Sequence, residues 1–188
     1  TVEARAQSLP TRAPGSNTGN VSNDGLVRFS QPDTGTYIGQ IVGTGAVEKV
    51  GVGTTVLDPE NDNSYSGGTT IRQGTLAITR DAAIGAAGGE ITFDNTGFGG
   101  IPTLRLDNAI TLDGTRPITI NGTAGGIDTN GFSSIVSQGI TGPGGLAKLG
   151  AGTLSLTGAN SYAGNTLVDS GVLSVSYTHL RAHETKAN

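Results

Sequence analysis

Two stretches of the chain spell one motif. Residues 41–78 and 140–175 both read I-x-G-x-G-x-[VL]-x-K-x-G-x-G-T-x-x-L, then a short polar loop, then N-S-Y-x-G-x-T-x-[IV]-x-x-G-x-L-x-[IV]. Lys49, Gly51, Gly53 and Thr54 answer Lys148, Gly150, Gly152 and Thr153, and Asn63-Ser64-Tyr65 answers Asn160-Ser161-Tyr162. The registers differ by 99 residues at the lysines and 97 at the tyrosines, so the first copy carries two extra loop residues near Pro59 and Asp62. A unit copied at this length points to a repeat architecture, in which each unit buries its apolar face against a neighbour.

Between residues 21 and 175 the chain alternates. Pairs of aliphatic residues flank one polar residue: Ile91/Phe93, Leu104/Leu106, Ile110/Leu112, Ile118/Ile120, Leu154/Leu156 and Leu173/Val175. Period two sends each pair to one face of a strand. Strands of this kind are expected at, among others, 26–30, 37–42, 46–49, 54–57, 75–79, 103–106, 117–120, 146–149 and 172–175. Only one helical turn is conceivable, over 81–87. The connectors are dense in Asp-Gly and Asn-Gly, which supply the left-handed backbone of sharp turns.

Short strands with frequent turns suit either a β-sandwich or a parallel solenoid. The duplication selects the solenoid, and the lack of Trp, with aromatics at 4%, suits a thin interior. The expected fold is all-β, a right-handed single-stranded parallel β-helix. Residues 1–20 are expected to be a linker or irregular cap, and 21–175 the β-helix with its repeats at 41–78 and 140–175.

The run from Gly145 to Val175, with Lys148, Gly150, Gly152, Thr153, Asn160, Tyr162, Gly164, Thr166, Gly171 and Leu173, resembles the passenger-associated transport repeat of bacterial autotransporters. The first copy is degenerate at Thr54-Thr-Val-Leu57 and carries the insertion at Pro59. The resemblance implies a passenger segment of type V secretion, displayed on the cell surface. It implies export through a C-terminal β-barrel translocator with the outer-membrane assembly machinery, and repeats that assist folding and secretion. The chain is accordingly expected to be an internal piece of a longer polypeptide. A surface adhesin binding host or neighbouring cells and a carbohydrate-active β-helix enzyme are the alternative functions. Residues 176–188, starting near Tyr177, break the pattern and are expected to be a foreign tail.

Candidate chemistry is sparse. There is no cysteine, which removes disulfides and thiolate chemistry. Both histidines, His179 and His183, fall in the tail; their i, i+4 spacing would hold a metal only on a helix. The net charge of −4 and scattered lysines argue against nucleic acid. Asp94, Asp107, Asp113 and Asp128 lie near strand ends, where carboxylates cap turns or, clustered in one groove, would cleave polysaccharide. The acidic loop from Asp58 to Asn63 lacks the central glycine and distal glutamate of an EF-hand. Gly142-Pro-Gly144-Gly145 does not continue into the G-K-[ST] of a phosphate loop. Lys49 and Lys148 are expected to be exposed, and Tyr65 and Tyr162 to form stacked rings. No enzymatic activity, catalytic residue, cofactor or metal site is expected.

Overall fold

A computed structural model describes residues 7–8 and 19–176. The tail starting at Tyr177, with both histidines, lies outside the described residues. Every strand pair is parallel. A seven-stranded sheet stacks Gln7–Ser8, Leu26–Phe29, Ala46–Lys49, Thr69–Ile71, Ile91–Phe93, Ile118–Ile120 and Ile140–Thr141. A second seven-stranded sheet stacks Gly35–Tyr37, Thr54–Leu57, Thr75–Ile78, Thr103–Leu106, Ala124–Asp128, Gly145–Leu149 and Thr166–Val168. The third side carries Val21–Ser22 on Ile41–Val42, and later Thr111–Leu112, Ser134–Val136, Thr153–Leu156 and Val172–Val175. The chain visits the three sides in turn and climbs one strand spacing per circuit. This is the expected parallel β-helix.

Successive coils differ in length. Val27 pairs with Val47, and Val47 with Thr69, steps of 20 and 22 residues. Ile91 pairs with Ile118, a step of 27, because the loop around Thr96–Gly100 bulges outward. Corners therefore absorb length while strands keep register, the usual division of labour between loops and regular elements.

The interior is a set of stacked rows. On the first side Val47, Thr69, Ile91, Ile118 and Ile140 follow one another in register. On the second, Leu76, Leu104 and Ile127 do the same. These residues are all buried, and each such aliphatic side chain contributes about 1.5–3 kcal/mol relative to exposure. The alternation reaches the third side too, where Leu112, Val136 and Leu156 stack inward.

One expectation of local structure changes and another is met by a shorter segment. Residues 37–42, read as one strand, divide into Gly35–Tyr37 and Ile41–Val42. The chain turns a corner between them, where Gly39 lies so close to the Gly19 carbonyl that a Cβ would overlap it. The turn near 81–87 is a single 3-10 segment, Asp81–Ile84. It sits on the third side and is held by Arg116, which is fully buried. The Arg116 guanidinium grips the Asp81 carboxylate and donates to the carbonyls of Ile84, Gly85 and Gly89 at 2.9–3.2 Å.

Candidate functional site: the coil-to-coil clasp of the repeats

Each repeat spans nearly two coils, so its second half lies directly on its first. In the first copy, Asn63 stacks on Ile41: its side-chain oxygen accepts the Ile41 amide at 2.7 Å, and its Nδ2 donates to the Ala83 carbonyl one coil further on at 2.6 Å. In the second, Asn160 accepts the Ile140 amide at 3.0 Å. The following backbone repeats the match. Ser64 and Ser161 donate to the carbonyls of Ile41 and Ile140, and Gly67 and Gly164 to those of Gly45 and Gly144.

The tyrosines do not stack on one another as expected, since they lie on coils far apart. Each instead folds back within its own segment. The Tyr65 hydroxyl meets Thr69 Oγ1 at 2.7 Å, and the Tyr162 hydroxyl meets Thr166 Oγ1 at 2.6 Å. Tyr65 is fully buried, which pushes its hydroxyl well above the usual tyrosine range. Among the described residues the ring pair that does form is Phe29–Tyr37, edge to face at 5.6 Å.

The lysines overturn the expectation of exposure, for both are at 0%. Lys49 occupies an inward row between Phe29 and Ile71 on the first side. Lys148 occupies the inward row between Ile127 and Val168 on the second. An ammonium so placed must find acceptors, because an unpaired buried charge is strongly disfavoured. Lys148 Nζ donates to the Leu149 and Gly150 carbonyls of its own turn, both at 2.7 Å, and to Ser170 of the next coil at 3.2 Å. Lys49 Nζ donates to Gly51 of its own turn and to Gln73 of the next coil at 3.3 Å. Burial lowers both lysines, Lys49 to about 8, and Asp128 partly offsets the effect at Lys148. The signal was legible: Val47-Glu48-Lys49 and Leu146-Ala147-Lys148 alternate, and period two sends each lysine inward with its aliphatic neighbour.

The degenerate copy keeps the same geometry. Thr55 stands in the inward place that Leu154 fills in the second copy; it is buried, and its Oγ1 lies 2.6 Å from Gln31 Nε2. The copies also sit on different sides. Copy one puts its lysine strand on the first sheet and its next strand on the second; copy two uses the second sheet and the third side. The clasp therefore depends on the motif and not on a particular side of the helix.

The carboxylates are taken up locally. Asp94 pairs with Arg72 at 2.9 Å in a ladder that runs Arg28–Glu48–Arg72–Asp94 up four coils. Asp107 holds Arg105 through both oxygens, at 2.6 and 2.9 Å. Asp113 and Asp128 accept the amides of Thr115 and Asn130 two residues on, which is turn capping. In the acidic loop Asp58 accepts from Thr79 and Asp62 pairs with Arg80. Among the described residues, no three of His, Cys, Asp and Glu gather as a metal site, and no helix is long and apolar enough to cross a membrane.

Residues 47–78 and 146–175 match the family model of the Passenger-associated-transport-repeat. The chain is 40% identical over 147 residues to "Adhesin BmaC autotransporter" of Brucella suis biovar 1 (strain 1330), an alignment covering 73% of this chain and 4% of that protein. No solved structure matches it. Two copies of this repeat, clasped coil on coil within a parallel β-helix, make the chain a passenger segment of the autotransporter family.

Proposed function

We propose that the two repeats assist folding of the passenger and its export to the bacterial surface, through the parent protein's own C-terminal β-barrel translocator and the outer-membrane assembly machinery. One observation carries this reading. The signature residues of both copies, Asn63 and Asn160, Lys49 and Lys148, bind the backbone of the same or the neighbouring coil. Residues that define the repeat are thus spent on stacking coils. A folded coil presents a ready edge to the next, so folding can propagate along the axis, and a segment folded outside the cell resists sliding back. The test is deletion of residues 146–175 from the full-length protein, followed by protease accessibility of the passenger on intact cells. Surface display should fall severalfold. Undiminished display would overturn the reading.

A second reading is adhesion, favoured by the similarity to an autotransporter adhesin. On this reading the solenoid flank meets a host or neighbouring cell surface, and the purified segment should compete with whole bacteria for attachment. The segment itself is proposed to be non-catalytic. The carboxylates that would serve a glycosidase are engaged in turn caps and ion pairs, and they are spread over three corners of the helix: Asp94 after the first side, Asp107 and Asp128 after the second, Asp113 after the third.

A further inference from the structure

We propose that Lys49 and Lys148 are positioning residues that set the register of an incoming coil: the ammonium, already held by its own turn, captures one carbonyl of the next coil's turn. The inference rests on reading the repeats as folding devices and names the residue that does the registering. Three observations carry it. First, both lysines make the same division of bonds, one or two to their own turn and one across to the next coil. Second, they do so on different sides of the helix, so the arrangement is not an accident of one wall. Third, the captured carbonyls, Gln73 and Ser170, each precede a glycine with positive φ, Gly74 at +69° and Gly171 at +72°. An added Cβ at Gly171 would crowd the Gly150 and Gly152 carbonyls and stand 3.0 Å from Lys148 Nζ. The next turn thus sits directly over the clasp.

The energetics favour registration over stabilisation. Neither lysine has an ion pair among the described residues; Asp128 is the charged group acting on Lys148, and burial alone acts on Lys49. Burial disfavours the charged form of both, so a methionine would serve an apolar core row better. Buried charge kept at such a disadvantage has its best-attested use in fixing register. A strand slipped by one residue would turn its apolar set outward and leave the ammonium without its acceptor on the next coil.

The test compares the whole 188-residue chain with its K148M and K49M variants. Refolding from urea is followed by pulsed amide labelling and mass spectrometry, with equilibrium unfolding measured alongside. In K148M, protection across Thr166–Val168 and Val172–Val175 should appear at least fivefold more slowly than in the parent chain, with Thr69–Ile71 and Thr75–Ile78 unchanged. K49M should show the reverse. The urea midpoint should stay level or rise in both. A residue that merely stabilises would instead slow refolding only as far as it lowers the midpoint, and that result would overturn the proposal. So would parent-like labelling in both variants, or loss of the folded state in either. Display of the full-length protein is not read in this experiment, so failure of the export reading remains a separate result.

Discussion

The Asn63 side chain bridges three coils: its oxygen holds the Ile41 amide at 2.7 Å and its nitrogen the Ala83 carbonyl at 2.6 Å, twenty-odd residues away on either side. Asn160 has the Ile140 amide but turns its nitrogen to Gly158 in its own coil at 3.0 Å. The first copy is the more divergent in sequence, yet its asparagine is the better buried.

Asn63→Ala should therefore destabilise the chain more than Asn160→Ala. Removing Asn63 leaves a buried amide and a buried carbonyl unpaired, at about 1–3 kcal/mol for each such group. Asn160→Ala, nearer the open end of the described coils, should lose about 1 kcal/mol. Urea midpoints of the two variants decide it, and equal losses would contradict the three-coil bridge.

Strand positions were legible because the signal is local. Leu104/Leu106 and Ile118/Ile120 alternate, and all four are buried as period two requires. The asparagine and lysine bonds between coils were hidden for the opposite reason: their partners lie 20 to 24 residues away, and coil length varies from 19 to 28 residues with the corner loops. A sequence window cannot assign such partners without knowing each corner. Lys49 is the instructive miss. Its alternation with Val47 pointed inward, while its charge argued for the surface, and carbonyls exposed by two glycine-rich turns resolved the conflict.

Arg116 lies between the repeats and matches no part of the motif, yet it is the largest fully buried side chain. Arg116→Ala would leave the carbonyls of Ile84, Gly85 and Gly89 without their guanidinium donor and the Asp81 carboxylate without its partner. The expected loss is about 3–5 kcal/mol, as for one half of a buried ion pair. Arg116→Lys should recover little, because one ammonium cannot reproduce the planar fork. Thermal unfolding of both variants tests this, and full recovery by lysine would show that charge alone matters.

Gly171→Ala should be costly for two separate reasons. The backbone at +72° is left-handed, and the new methyl would overlap the turn beneath. Strain in that region costs about 1–3 kcal/mol before any steric term. Gly99→Ala is the control, with open space around its Cβ and no positive φ; it should be neutral or slightly stabilising in the same urea titration.

Stability should rise with alkaline pH before it falls. Lys49 titrates at about 8 when folded and near 10.5 when unfolded. Between those values the unfolded chain binds more protons, so stability increases with pH. Below pH 8 the folded chain carries the full disadvantage of a buried ammonium. Tyr37 and Tyr65 act in the opposite sense: burial raises both, so the unfolded chain ionises first and stability falls above about pH 10. The parent chain should gain about 1 kcal/mol from pH 7 to pH 9.5, a fraction of what the full lowering at Lys49 would supply. K49M should gain less than the parent across that range, because Lys148 alone then contributes the rise, and Tyr65→Phe should soften the decline above it. Urea unfolding at half-unit steps of pH resolves the three curves. A parent chain that loses stability steadily from pH 7 would mean that the ammonium is favoured in its buried place.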